Sequence, residues 1–138
     1  MEEKIISIDQ GTSSTRSVLY SKKGELLDSS QEEFEQYFPN EGWVEHNPEQ
    51  IWNTVESTLT DLVHRNDISS NEIASIGITN QRETTVLWDK TTGRPISNAI
   101  VWQDRRTSEF CDHLSCDLDI IHKKTGLILD PYFSATKI

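Results

Sequence analysis

The chain has 138 residues, of which 34% are hydrophobic and 26% charged, a balance typical of a folded globular protein rather than a disordered tail. Its formal net charge is −10, which argues against nucleic-acid and anionic-membrane partners, because both need a concentrated positive face. No apolar run reaches the roughly 20 residues that a membrane-spanning helix requires, so we expect no membrane partner either.

The cysteine content and the N-terminus indicate the cellular compartment. The first residues lack the apolar core of a secretory signal. The two cysteines, Cys111 and Cys116, are too few for a disulfide framework, and their spacing does not match a zinc site. We therefore expect reduced thiols and a cytoplasmic protein.

The first half of the chain predicts three successive strands, a helix and a further strand. Ser21 to Gly24 (SKKG) has the composition of a tight turn between the second and third strands. A helix is predicted from Pro48 to about Arg65, because Asn47 is a good N-cap residue and apolar residues, Trp52 among them, then recur at helical spacing. The predicted strands are residues 4–8, 17–20, 25–29 and 73–79.

The second half of the chain predicts a hairpin and two short helices. The hairpin strands are residues 84–88 and 97–102. Asp104 is expected to cap a helix over residues 105–114, and a shorter helix runs from 117 to 124. Strands in succession, a crossover helix and another strand are typical of an α/β fold with a mixed sheet and flanking helices.

The stretch DQGTSSTR at residues 9–16 carries more polar groups than a turn requires. Gly11 would let the backbone approach a phosphate closely. Asp9 could hold Mg²⁺, and Arg16 could neutralise a terminal phosphate. The other donors to a phosphate would be the amides and hydroxyls of Thr12, Ser13 and Ser14. The alternative is a strand turn whose hydroxyls satisfy local backbone groups, and the GxxxxGK[ST] pattern is absent.

The stretch GITNQRETTVLWD at residues 77–89 places an opposite-charge pair, Arg82 and Glu83, just after a predicted buried strand. Ligand clefts of α/β folds lie at such strand ends. There an arginine can donate to the hydroxyl oxygens of a small polyol, and a glutamate can accept from its hydroxyl hydrogens. The alternative is a surface ion pair that contributes little to stability.

Five stretches together resemble the N-terminal portion of the FGGY carbohydrate kinases. They cover nearly the whole chain in the family's order, and GWVEH and NQRE are specific to the branch of the family that phosphorylates glycerol. The stretches are IDQGTSSTR, FPNEGWVEHNPEQIW, IGITNQRETTVLWD, NAIVWQDRRT and TGLILDPYFSATK.

The resemblance implies a fold and a set of site residues. The fold is the ribonuclease-H-like fold of actin-like ATPases, with residues 1–138 forming the N-terminal part of the first domain and the second actin-like domain lying elsewhere. Asp9 matches the acid associated with Mg²⁺. The residues implied to meet the nucleotide phosphates are Gly11, Thr12, Ser13, Ser14 and Arg16. Those implied around glycerol are Arg82, Glu83 and Tyr132, with Trp102 as an apolar wall.

The resemblance also implies a reaction, in which ATP with Mg²⁺ phosphorylates glycerol to sn-glycerol 3-phosphate. Family members are several times longer, and their catalytic base is expected beyond Ile138, so no catalytic residue is assigned within these 138 residues. We expect the chain alone to be inactive and the intact enzyme to be a homo-oligomer.

Two other readings of the sequence stay open. A sibling FGGY kinase acting on xylulose or ribulose would keep the phosphate loop and differ around Arg82, Glu83 and Tyr132. A non-catalytic domain that binds a polyol or a partner protein would use the acidic surface for that interaction.

Overall fold

The computed structural model describes residues 3–138, which fall into two compact units. The first unit comprises the chain up to Glu35 together with Pro48–Gln81, and the second comprises Gln36–Asn47 and Arg82–Ile138. The strands are β1 (Lys4–Gln10), β2 (Ser14–Ser21), β3 (Leu26–Glu33), β4 (Glu45–His46), β5 (Ile73–Thr79) and β6 (Ala99–Ile100). The helices are α1 (Pro48–Arg65), α2 (Ser108–His113) and α3 (Leu118–Thr125), with 3-10 helices at Ser70–Glu72, Ser115–Asp117 and Ser134–Lys137.

The first unit contains a four-stranded mixed sheet in the order β3-β2-β1-β5. Strands β1, β2 and β3 pair antiparallel, and β5 pairs parallel with β1. Strand β5 and helix α1 have the predicted extents, and the predicted SKKG turn is confirmed by a 2.9 Å hydrogen bond from the Gly24 amide to the Ser21 carbonyl. The mixed sheet that the sequence predicts is therefore present.

Helix α1 packs on this sheet through hydroxyl pairs as well as through apolar side chains. Oγ1 of Thr15 lies 2.8 Å from Oγ1 of Thr54, and Oγ of Ser17 lies 3.0 Å from Oγ1 of Thr58, with all four residues buried. Trp52, which its spacing placed on the apolar face, is 65% exposed. The apolar core beside these pairs consists of Ile6, Ile8, Leu19, Leu62 and Ile68.

The hairpin predicted in the second unit is present only as an irregular ladder. Thr85 and Ile100 exchange backbone hydrogen bonds of 2.8 and 2.9 Å, and the turn closes with the Asp89 amide donating to the Arg94 carbonyl. Residues 84–88 are nevertheless not a continuous strand, so that prediction was wrong. Only Thr85 and Trp88 of this segment form bridges, to Ile100 and Pro95, while the other edge of β6 pairs with β4.

Asp104 has a different role from the predicted helix cap. Helix α2 begins only at Ser108, with Thr107 at its N-cap position. Asp104 is fully buried, and its carboxylate accepts hydrogen bonds from the Val44 amide and from the amide and guanidinium of Arg106. The prediction missed this because Val44 lies 60 residues away in sequence. The shorter predicted helix is confirmed as α3, which ends at Thr125 and is followed by the C-cap residue Gly126 with a φ of +74°.

The Asp104–Arg106 network also reaches strand β4. Arg106 forms an ion pair with Glu45 and stacks its guanidinium over the Trp43 ring at 3.8 Å from the centroid. Burial by itself would raise the pKa of the Asp104 carboxyl, but the hydrogen bonds from Arg106 and Val44 hold that pKa below its ordinary value. The carboxylate is therefore charged at neutral pH.

We expect Asp104→Asn to destabilise the second unit by about 3 kcal/mol, because it removes the fully buried carboxylate partner of Arg106 and leaves only Glu45 of the two. Amide protons of Val44 and Arg106 should then exchange roughly a hundred-fold faster, since about 1.4 kcal/mol corresponds to a factor of ten. Hydrogen exchange on the protein and its variants measures this. Asp112→Asn, at an exposed position of α2, is the matched control. Equal protection in the two variants would contradict the prediction.

Two further expectations concern the cysteines and the membrane. Cys111 is a buried free cysteine and Cys116 an exposed one. Within residues 3–138, no helix has the length and apolar character that crossing a membrane requires.

Candidate functional site

The phosphate loop predicted at DQGTSSTR is shorter in the structure than in the sequence interpretation. Ser14 and Arg16 lie in β2, which begins at Ser14, so the loop itself is Gly11, Thr12 and Ser13. The Gly11 amide donates to the Ser14 carbonyl at 2.9 Å, and the Phe34 amide donates to the Ser13 carbonyl at 3.2 Å. Both ends of the loop are thus held by backbone hydrogen bonds.

Gly11 occupies a position with little room for a side chain. A Cβ atom added there would lie 3.2 Å from the Ser14 carbonyl oxygen, which is tighter than ordinary van der Waals contact. The Gln10 side chain holds the loop from the other side, because its amide donates to the Gly11 carbonyl at 2.9 Å and accepts from the Gln81 amide at 3.1 Å. Glycine here therefore keeps the loop compact.

Asp9 and Arg16 are partners across the β1–β2 ladder. The Arg16 guanidinium lies 3.5 Å from the Asp9 carboxylate, and the two side chains are 52% and 47% exposed. No cluster of three or more metal-ligating side chains occurs in residues 3–138. A single accessible carboxylate fits Mg²⁺, which keeps several waters and binds through one or two carboxylates together with substrate phosphates.

Glu83 has a left-handed backbone conformation, with a φ of +65°. This conformation costs a residue with a Cβ roughly 1–2 kcal/mol, and such strain clusters at binding sites. The Ser134 hydroxyl donates to the Glu83 carbonyl at 3.2 Å, so a contact from the C-terminal segment accompanies the strained backbone. Arg82, the preceding residue, is exposed.

Trp102 and Tyr132 form an aromatic pair in the same unit. Their ring centroids are 5.8 Å apart at an interplanar angle of 64°, an edge-on arrangement favoured by aromatic quadrupoles. The Trp102 amide donates to the Thr84 hydroxyl at 3.3 Å, which ties this ring's backbone to the residue after Glu83. We use the name polyol cluster for the four residues that the sequence predicts around a polyol, which are Arg82, Glu83, Trp102 and Tyr132.

Several residues that support the polyol cluster were missed by the sequence interpretation. Asp130 accepts a 2.7 Å hydrogen bond from the Tyr132 amide and pairs with Arg105 at 2.8 Å. Lys137 is buried, although nothing in the sequence distinguishes it from a surface lysine. The signal in the sequence was the Asp130-Pro131 pair. Such a pair indicates that the Asp130 side chain hydrogen-bonds to backbone nearby, but it does not indicate the more distant partners.

The family model for the FGGY family of carbohydrate kinases, N-terminal domain, matches residues 4–138. The chain belongs to this family. It is 56% identical to the glycerol kinase of Enterococcus faecalis, over 99% of the chain, and 56% identical to the glycerol kinase of Escherichia coli, over all of it. The chain spans about 28% of the length of these curated relatives.

Solved structures of FGGY kinases share the fold. A Plasmodium falciparum glycerol kinase, solved with ADP, aligns over 99% of this chain and 28% of its own, with a TM-score of 0.90 and 36% identity. A gluconate kinase from Lactobacillus acidophilus aligns over 99% of this chain and 27% of its own, with a TM-score of 0.89 and 24% identity, which speaks for the fold alone. The expected actin-like α/β fold of the FGGY kinases is thereby confirmed.

Proposed function

We propose that this chain is the N-terminal part of an enzyme that transfers the γ-phosphoryl group of ATP to glycerol, giving sn-glycerol 3-phosphate and ADP in the cytoplasm. The observation that carries the proposal is the polyol cluster, in which a strained glutamate and an edge-on aromatic pair are tied together within one unit. The glycerol kinases at 56% identity support the same substrate.

The polyol cluster has the chemistry that a small triol needs. The Arg82 guanidinium donates hydrogen bonds to hydroxyl oxygens, and the Glu83 carboxylate accepts them from hydroxyl hydrogens. Charge-assisted hydrogen bonds of this kind are the stronger ones. The half-buried rings of Trp102 and Tyr132 offer apolar surface for the carbon chain. Both kinds of surface suit glycerol, since every carbon carries a hydroxyl on one side and C–H bonds on the other.

The loop Gly11–Ser13 and Arg16 are proposed to bind the nucleotide phosphates. Backbone amides and hydroxyls of a compact loop make an anion-binding concavity, and Ser14 at the start of β2 extends it. When the nucleotide binds, the Arg16 guanidinium would interact with the phosphates as well as with the Asp9 carboxylate. Asp9 would hold Mg²⁺ delivered with the nucleotide, and the ion would supply neutralisation of phosphate charge.

Phosphoryl transfer needs little covalent chemistry from the protein. The transition state is loose, so placement of the hydroxyl and stabilisation of phosphate charge supply most of the catalysis. The residues proposed here serve those two purposes. The base that accepts the hydroxyl proton is not assigned to any residue of this chain.

A chimaera tests the proposal. Residues 1–138 replace the matching segment of the Enterococcus faecalis glycerol kinase, and phosphorylation by ATP is measured with glycerol, xylulose and gluconate. We expect glycerol to be the preferred substrate, with the unaltered relative as the reference. Preference for xylulose or gluconate would favour a sibling sugar kinase. A folded chimaera that binds ATP and phosphorylates none of the three would favour a non-catalytic domain.

A further inference from the structure

Lys137 is a buried lysine at the end of the 3-10 helix Ser134–Lys137, with only 8% of its surface exposed. Its ammonium donates to the Val101 carbonyl at 2.9 Å and to the Tyr132 carbonyl at 3.4 Å. In the part of the chain that the structure describes, no carboxylate lies within ion-pair distance of it. Lysine is almost never buried without such a pair, so this position needs a reason.

The two carbonyls belong to the backbones that carry the two aromatic rings of the polyol cluster. Val101 directly precedes Trp102, and Tyr132 supplies its own carbonyl. One ammonium therefore joins the backbone next to Trp102 to the backbone of Tyr132, and the centroids of these two rings lie 5.8 Å apart. Burial lowers the pKa of Lys137, while the negative charges of Asp104 and Glu83 act to raise it.

We propose that Lys137 is a positioning residue of the polyol cluster, and that its ammonium sets the spacing of the Trp102 and Tyr132 rings by fixing the backbone behind each. The assignment rests on the proposed function, because the rings matter to catalysis only if a polyol binds there. Lys137 itself touches neither the substrate nor the reacting atoms in this assignment.

The neighbouring contacts show why Lys137 has a specific part in this arrangement. Ser134 fixes the same segment to Glu83, and Thr136 bonds to the Thr107 hydroxyl at 2.9 Å. Neither of these two contacts involves the backbone next to Trp102, whose amide donates to the Thr84 hydroxyl at 3.3 Å. Lys137 links the backbone next to Trp102 directly to the C-terminal segment. An apolar side chain would fill the same space at a lower desolvation cost, so filling space does not explain a lysine here.

The test uses the chimaera with Lys137→Met, which keeps the length of the side chain and removes the donor. Lys124→Met, at an exposed position of α3, is the matched control. We expect the KM for glycerol to rise roughly ten-fold or more while the KM for ATP changes little. Amide exchange should also accelerate in peptides covering residues 99–103 and 130–134, and not elsewhere. Lys137→Gln, which keeps an N–H donor, should retain more of the glycerol affinity and serves if the methionine variant does not fold.

The outcomes separate this inference from the proposed function. Unchanged exchange in both peptides, or equal changes in the two KM values, would overturn the role of Lys137. Absence of glycerol phosphorylation in the unmodified chimaera would overturn the proposed function instead. In that case the exchange measurement alone would decide whether Lys137 fixes the two backbones.

Discussion

Replacing Gly11 with valine is expected to lower kcat of the chimaera by about 10²–10³-fold, the scale of losing a preorganised donor at a developing charge. A Cβ atom at this position would lie 3.2 Å from the Ser14 carbonyl, and a branched side chain adds two further methyl groups. The loop would have to open, which moves its amides away from the phosphates. Glycerol binding should be largely kept, because the polyol cluster belongs to the other compact unit.

Arg16→Ala should lower kcat on a similar scale by removing charge stabilisation from the phosphates. The 3.5 Å contact with Asp9 makes a double-mutant cycle informative. If both residues act on the nucleotide, Asp9→Asn combined with Arg16→Ala should lose less activity than the sum of the single effects. Lys23→Ala, exposed in the β2–β3 turn, is the control for loss of a positive charge. Normal turnover in the Gly11 and Arg16 variants would show that DQGTSSTR is merely a turn.

The elements that the sequence predicted well are those whose ends are marked by local chemistry. Helix α1 begins at Pro48 and ends at Arg65, as predicted. A proline at the first helical position and the apolar periodicity that follows are both local sequence features. Strand β5 was likewise bounded correctly by its own composition. Neither element needed knowledge of its partners in space.

The predictions that failed depended on pairing between distant segments. Strand β2 begins at Ser14 rather than at residue 17, because Ser14 pairs with Glu33 and Thr15 pairs with Gln10 in the adjacent ladders. Serine and arginine have no strong strand preference, and the polar run was assigned to a loop from its overall composition, although Thr15 is of a type that favours strands. Trp52 is exposed for the same reason, since the sheet presents hydroxyls that select Thr54 and Thr58 on α1.

The candidate site was only partly visible in the sequence. Its residue types and order indicated phosphate and polyol chemistry, and the structure brings Glu83, Trp102 and Tyr132 into one connected group. The positive φ of Glu83 and the burial of Lys137 could not be predicted, because both are accompanied by contacts with residues more than thirty positions away. The side-chain chemistry of Glu83 and Lys137 alone indicates neither the positive φ nor the burial.

Arg82→Ala and Glu83→Gln should each raise the KM for glycerol in the chimaera by roughly ten- to a hundred-fold, the range expected for losing a hydrogen bond to a charged group. The KM for ATP should change much less. The controls are Arg94→Ala in the hairpin turn and Glu109→Gln on α2, both exposed positions of the same unit. Steady-state kinetics with each substrate varied in turn measures the effect. Glycerol kinetics that match the controls in both variants would remove these residues from the site.

Glu83→Gly tests the carboxylate and the strained backbone of this residue in one variant, because it removes the carboxylate and also relieves the strain. Glycine adopts a φ of +65° without strain, so this variant should relieve about 1 kcal/mol of native-state strain and offset the entropy cost of a glycine in the unfolded chain. We expect a thermal midpoint equal to or above that of the unmodified chimaera, together with a glycerol KM raised at least as much as in Glu83→Gln. Stability kept while glycerol binding is lost would mean that the strained conformation is retained for the ligand. A variant that loses stability and binding together would instead make Glu83 part of the scaffold, and its proposed contact with glycerol would fail.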